Sequence, residues 1–213
     1  MKITSCLVLS VFVLSAVAWA SQTNCVVPAG ATVPDGNVSA GASFTTGDGF
    51  VTVTLTDNLA DPRSVGQLLS GLAFTVSGGE TTGTLGNNAA DLRMVRRGGS
   101  FVDLGPSSTG WALAQNFNGG FELCVLCTDL GGAGPSHLLI GPPGMSGTYE
   151  AANASIAGNG PHNPFTAGTA VFLVNVPGVT AASTITTATF YFSTTSGVSV
   201  AGACTSNGGI QLQ

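Results

Sequence analysis

Phe50-Val51-Thr52-Val53-Thr54-Leu55-Thr56 is the stretch from which the fold class follows. Val51, Val53 and Leu55 alternate with three threonines, a period of two that puts oil on one side of the chain and hydroxyls on the other. Threonine is both β-branched and polar, so it suits the wet face of a strand. Leu72-Ala73-Phe74-Thr75-Val76 repeats the alternation and runs into Gly78-Gly79, a turn signal. Residues 92–95, 101–104, 111–114 and 121–126 extend the series. In residues 170–176 both alternations are apolar, which predicts a strand covered on both faces and stopped by Pro177-Gly178. Residues 185–192 follow, with Phe190 and Phe192 on one side and Tyr191 on the other, and a last strand is expected near 198–200. Short strands divided by Gly and Pro predict an all-β chain. The expected architecture is an antiparallel β-sandwich, jelly-roll or immunoglobulin-like.

Two segments depart from this pattern. Ser64 and Gln67 have the spacing of a capping box, Val65, Leu68 and Leu69 share a face, and Gly71 offers a left-handed stop, so one short helix is expected at 64–71. The stretch 131–164 holds Gly131-Gly132, Gly141-Pro142-Pro143-Gly144 and Gly158-Asn159-Gly160-Pro161-His162-Asn163-Pro164. Long ordered loops often serve binding, which makes this Gly/Pro-rich connection the expected seat of function.

Composition sets the compartment. Of 213 residues only 7% are charged, with five Lys+Arg against ten Asp+Glu, a net charge of −5. Such a chain has no basic surface for phosphate backbones, so nucleic-acid binding is excluded as an expectation. Met1-Lys2, an apolar run over 3–17 and the small residues of Ala18-Trp19-Ala20 read as a secretory signal cleaved after Ala20. The run is too short to span a bilayer. Residues 1–20 are thus expected to be removed, leaving one domain over 21–213 with no membrane span.

Cys25, Cys124, Cys127 and Cys204 then remain, an even number in an exported chain, and read as a disulfide framework with three possible connectivities. A Cys25–Cys204 bond would tie the first strand to the last. Cys124 and Cys127 can pair only if the chain turns between them, because an extended strand holds such residues about 10 Å apart. Zinc would need a second ligand pair at the usual spacing, and a thioredoxin-like redox motif would need a βαβ context; neither is present in the sequence.

Phe50 to Pro62, Ser64-Val65-Gly66-Gln67-Leu68-Leu69-Ser70-Gly71-Leu72, His137-Leu138-Leu139-Ile140-Gly141-Pro142-Pro143 and Ser155-Ile156-Ala157-Gly158-Asn159-Gly160-Pro161-His162-Asn163-Pro164-Phe165 together resemble the PEP-CTERM (exosortase-sorted) exported surface proteins of bacteria. The resemblance covers about residues 44–202. It implies export from a Gram-negative cell and a structural or binding role at the cell surface or in an extracellular polysaccharide matrix, with polysaccharide or other envelope proteins as partners and no defined catalysis. Residues 194–213 depart from the family pattern: they carry no Pro-Glu-Pro, apolar helix and basic cluster, so exosortase processing is not carried over.

Candidate chemistry is sparse. A secreted hydrolase using 131–165 would draw on His137 or His162 as base, with Ser136, Ser146 or Ser155 as nucleophile, yet no serine lies in Gly-x-Ser-x-Gly. Convergence of the two histidines with a serine or carboxylate would favour that reading. Asp57, Asn58 and Asp61 offer oxygen ligands of the kind calcium uses, in a spacing that equally suits a turn, so calcium is the one cofactor considered. Arg93, Arg96 and Arg97 form the only basic cluster and read as a hairpin end. Sugar contact calls for exposed aromatics: Trp111 and Tyr191 sit in strands and are expected in the core, leaving Tyr149, in the long loop, with His137 and His162 as candidate ligand-binding residues. A pilus-like subunit is a third reading, marked by an unpaired terminal strand.

Overall fold

The computed structural model describes residues 20–127, 137–195 and 197–207. The signal segment and part of the long loop, including Ser136, lie outside the described residues.

Strands make up most of the described chain. They are β1 (Gln22–Val26), β2 (Thr32–Val33), β3 (Gly36–Asn37), β4 (Ala40–Gly47), β5 (Phe50–Asp57), β6 (Leu69–Val76), β7 (Thr84–Val95), β8 (Phe101–Ser107), β9 (Ala112–Phe117), β10 (Gly120–Cys124), β11 (Leu139–Ile140), β12 (Phe165–Ala167), β13 (Thr169–Asn175), β14 (Ile185–Phe192), β15 (Ser199–Ala201) and β16 (Ala203–Asn207). All but β2 and β3 join one large sheet. Its path runs β15-β14-β6-β11-β12-β7-β13-β5-β4-β1-β16, with β10 and β9 attached through β6 and β8 through β7. Every pairing is antiparallel except β11 with β12, so the sheet is mixed and not purely antiparallel as expected.

The period-two reading of β5 holds residue by residue. Val51, Val53 and Leu55 are fully buried while Thr52, Thr54 and Thr56 are only part-covered. Opposite them on β4, Ala42 and Phe44 turn inward, and on β13 Ala170, Phe172 and Val174 do the same. The expectation that β13 is covered on both faces fails: Val171 is 45% exposed and Leu173, on the same side, is only part-covered. From the other half of the sheet, Leu72, Phe74 and Val76 of β6, Phe121 and Leu123 of β10, and Phe190 and Phe192 of β14 enter the same hydrophobic cluster. The Phe44 and Phe74 rings meet at 5.3 Å, although β4 and β6 are not neighbours in the sheet, and those of Trp111, just before β9, and Phe172 of β13 meet at 5.3 Å. Each such ring removes on the order of 150–250 Å² from water, so this shared interior is the main source of stability.

Long β7 joins the two halves. Its first part pairs with β13 and its second with β12 and β8, with a register shift opposite Arg93. Cys25 and Cys204 face each other in register on β1 and β16 and are bonded; Cys124 and Cys127 are bonded across a local turn. Terminal strand β1 is paired on both sides, by β4 and β16, so it is not the unpaired strand of a pilus-like subunit.

The expected helix at 64–71 is a single 3-10 turn, Val65–Gln67. Its capping box is present: the Ser64 hydroxyl accepts from the Gly66 N–H and the Gln67 side-chain oxygen accepts from the Ser64 N–H. Gly71 does not stop it. Leu68, already extended, ends the turn, and Gly71 belongs to β6. A four-residue helix, Ala154–Ala157, lies in the long loop, where none was expected, with Asn153 as its N-cap.

Candidate functional site

The described part of the Gly/Pro-rich segment, 137–164, is anchored by buried side chains, while stretches such as 145–147 stay exposed. Leu138, Ile140, Tyr149 and Ile156 form a second hydrophobic cluster with Leu68, Val95 and Phe165. Tyr149 is therefore not the exposed ring the sequence reading took it for: it is fully buried. Its hydroxyl donates to the Gly141 carbonyl at 2.8 Å and accepts from Arg93 Nη1 at 3.1 Å. Burial pushes the phenol up from its ordinary range, with Arg93 pulling the other way. Arg93 in turn donates to both carboxylate oxygens of Asp103, at 2.6 and 3.0 Å, and lies 4.0 Å from the centre of the Phe101 ring. Of the basic cluster, only Arg96 and Arg97 stay exposed, in the turn between β7 and β8.

His137 is also buried, its Nδ1 in contact with the Pro164 carbonyl oxygen and its own carbonyl accepting from the Trp111 indole. His162 is half-buried near the turn at 159–163, where its N–H donates to the Asn159 side chain. Ser146 pairs with the Thr148 hydroxyl, and Ser155 donates to Asn153 and accepts from the Val65 N–H. The two described serines thus serve local structure.

Asp57 and Asp61, the two calcium candidates, each accept from backbone N–H groups. Asp57 faces the interior, where its carboxyl accepts from the Leu59 N–H at 3.0 Å and from the backbone of Leu69 and Gly141, while Oδ2 has no hydrogen-bond partner among the described residues. Burial pushes its pKa up to about 8, against which the three backbone bonds work. Asp61 instead accepts from the Ala151 N–H, at 3.1 and 3.2 Å. Among the described residues no three His, Cys, Asp or Glu side chains are grouped to hold a metal ion.

A cleft of about 240 Å³ lies elsewhere, on the outer side of β14, β6, β10 and β9. Ser70, Phe117, Glu122, Cys124, Leu126, Tyr191, Thr195 and Gly197 line it. Register explains its shape. Gly71 sits between Tyr191 on β14 and Cys124 on β10, and Ala73 between Thr189 and Glu122, so small residues separate the larger ones that line it. An added Cβ at Gly71 would lie 3.3 Å from the Tyr191 Cβ and 3.5 Å from Glu122 Oε1. The rings of Phe117 and Tyr191 meet edge to face at 6.3 Å. Desolvation raises the Glu122 carboxyl above its ordinary range, and Tyr191 is raised by burial and by the nearby Glu122 charge. Tyr191, assigned to the core from sequence, is thus a half-covered wall of this cleft. The alternation Phe190-Tyr191-Phe192 already carried that signal, because two buried phenylalanines turn the tyrosine between them outward.

Such an arrangement offers two aromatic surfaces, a carboxyl acceptor and the hydroxyls of Ser70 and Thr195 in one hollow, which suits stacking and hydrogen bonding to a polar ring. Neither a known protein family, nor a curated protein, nor a solved structure matches this chain.

Proposed function

We propose that the chain is an exported bacterial surface or matrix protein, of the PEP-CTERM-like kind its sequence resembles, which binds a neutral sugar unit of an extracellular polysaccharide in the Phe117–Tyr191 cleft. The fold we assign to it is a two-layer β-sandwich, its layers being the two halves of the sheet whose rings meet at Phe44–Phe74 and Trp111–Phe172. The observation that carries the function is the cleft itself: an aromatic pair beside a half-buried carboxyl is chemistry that recognises a sugar's apolar face and its hydroxyls. A low charge, with Arg93 already held by Asp103, favours an uncharged polymer over an anionic one. Two disulfides accord with an oxidising compartment. No catalytic role is assigned.

The test is retention of the purified chain by neutral polysaccharides in affinity electrophoresis. Phe117→Ala with Tyr191→Ala is expected to abolish the retardation while leaving far-UV circular dichroism unchanged, since neither ring belongs to the interior cluster. Equal retardation of the double variant would refute the cleft as the site. Fractionation of the producing culture is expected to place the chain in the medium, envelope or matrix, and recovery from cytoplasm alone would refute export.

A further inference from the structure

The two disulfides do different physical work. Cys25–Cys204 links positions 179 apart, and Cys25 is fully buried. Closing so long a segment removes much of the unfolded chain's freedom. Cys124–Cys127 links positions 3 apart, and because the entropic gain grows with the logarithm of loop length, it is the weaker staple. Its surroundings differ as well. Cys124 is buried on the wall of the cleft, while Cys127 is part-exposed. Glu122 stands two residues before Cys124 on β10, hence on the same side of the strand, and both line the hollow. The Glu122 side chain makes no hydrogen bond among the described residues, so its carboxyl is not committed to holding the structure.

We infer that Cys124–Cys127 is a thiol–disulfide exchange site that accepts two electrons from a small dithiol approaching Cys127 beside the cleft, with Glu122 giving a proton to the departing Cys124 sulfur. A thiolate of the dithiol attacks Cys127 Sγ, the more accessible sulfur. The protein S–S bond breaks and its electron pair passes to Cys124 Sγ. A buried thiolate in such surroundings is unfavourable, so the proton from the Glu122 carboxyl completes the step. The second thiolate of the dithiol then attacks its partner sulfur in the mixed disulfide, closes the dithiol into a disulfide and releases Cys127, which takes a proton from water. The dithiol is oxidised, the protein bond is reduced to two thiols, and Glu122 regains its proton from solvent. Burial lets that carboxyl hold its proton to higher pH than an ordinary glutamate. The inference does not depend on sugar binding, and either can fail alone.

The probe is dithiothreitol. The native chain with both disulfides formed is exposed to it at pH 7, quenched with acid, alkylated and mapped by peptide mass spectrometry. Cys124 and Cys127 are expected to carry the label while Cys25 and Cys204 remain bonded. Glu122→Gln, checked for fold by circular dichroism, is expected to slow labelling by roughly a hundredfold, the lower range for a positioned acid, with partial recovery in Glu122→Asp. Opening of both bonds together, or of Cys25–Cys204 first, would overturn the site. Selective labelling at an unchanged rate in Glu122→Gln would overturn the role of the carboxyl. If that variant does not fold, the native chain decides: its rate per dithiol thiolate must fall as Glu122 ionises, and a flat profile would count against it.

Discussion

Replacing Asp57 with Asn should remove a pH-dependent weakness from the middle of the fold. The carboxyl is 1% exposed, and its pKa stands at about 8 against an ordinary 3.8. Between those values the folded chain holds one proton that the unfolded chain has released. Stability therefore falls as pH rises through this window, by about 1.4 kcal/mol for each pH unit from this group alone, and levels off above the folded value. From pH 5 to pH 8 the full figure is about 4 kcal/mol, and relaxation around the buried charge brings the expectation to about 2–4 kcal/mol. Asn keeps an oxygen for the Leu59, Leu69 and Gly141 backbone and does not ionise, so Asp57→Asn should lack this slope. Its advantage over the parent should grow steadily with pH. Urea unfolding of both chains at pH 5, 6, 7 and 8, with disulfides intact, reads the difference directly. Glu122 is raised in the same direction and contributes equally to both, so only the gap between the curves matters. Parallel pH profiles, or a parent that gains on the variant as pH rises, would refute the reasoning.

Two further substitutions probe the same buried junction. Tyr149→Phe removes the hydroxyl that donates to Gly141 and accepts from Arg93, leaving a buried carbonyl unpaired; a loss of about 1–3 kcal/mol in urea unfolding is expected, and a neutral result would show that water replaces the hydroxyl. Gly141→Ala would set a Cβ 2.0 Å from the Leu59 carbonyl oxygen, which is backbone and cannot swing away, so a loss of about 3 kcal/mol or more is expected, with a lowered melting temperature as the check.

How much of this could be read from the chain alone depends on whether a feature is set by neighbours in sequence or by partners far along it. The inner face of β5 was legible because alternation is a local property, and it carries one residue further than the apolar run suggests. Asp57 has the same parity as Val51, Val53 and Leu55, so the pattern that buries them buries it too. Read as a loop carboxylate, it looked like a calcium ligand; read as the next step of the strand, it is an interior acid. Strand β4 was missed because Gly, Ala, Ser and Thr supply its alternation with little apolar contrast, and Phe44 is the only large residue in it. Strand β1 and the edge strand β16 are mostly polar apart from their cysteines, which were the one local sign of their pairing.

The exchanged fates of the two tyrosines have the same origin. Tyr149 lies between glycines and prolines, where sequence says loop, but a loop that follows buried Leu138, Leu139 and Ile140 is drawn over the core and takes its ring inside. Tyr191 lies in an apolar strand, where sequence says core, yet strand parity faces it outward. Most hidden of all was the cleft, because it is defined by which strands lie side by side. Tyr191 and Cys124 come to stand on either side of Gly71 only when β6 is placed between β14 and β10. Nothing within a few positions of residue 71 specifies those partners. They are chosen by the inward registry of Leu72 with Phe190 and Leu123, and the same packing that selects that registry places the aromatic wall, the carboxyl and the short disulfide around one opening on the outer side.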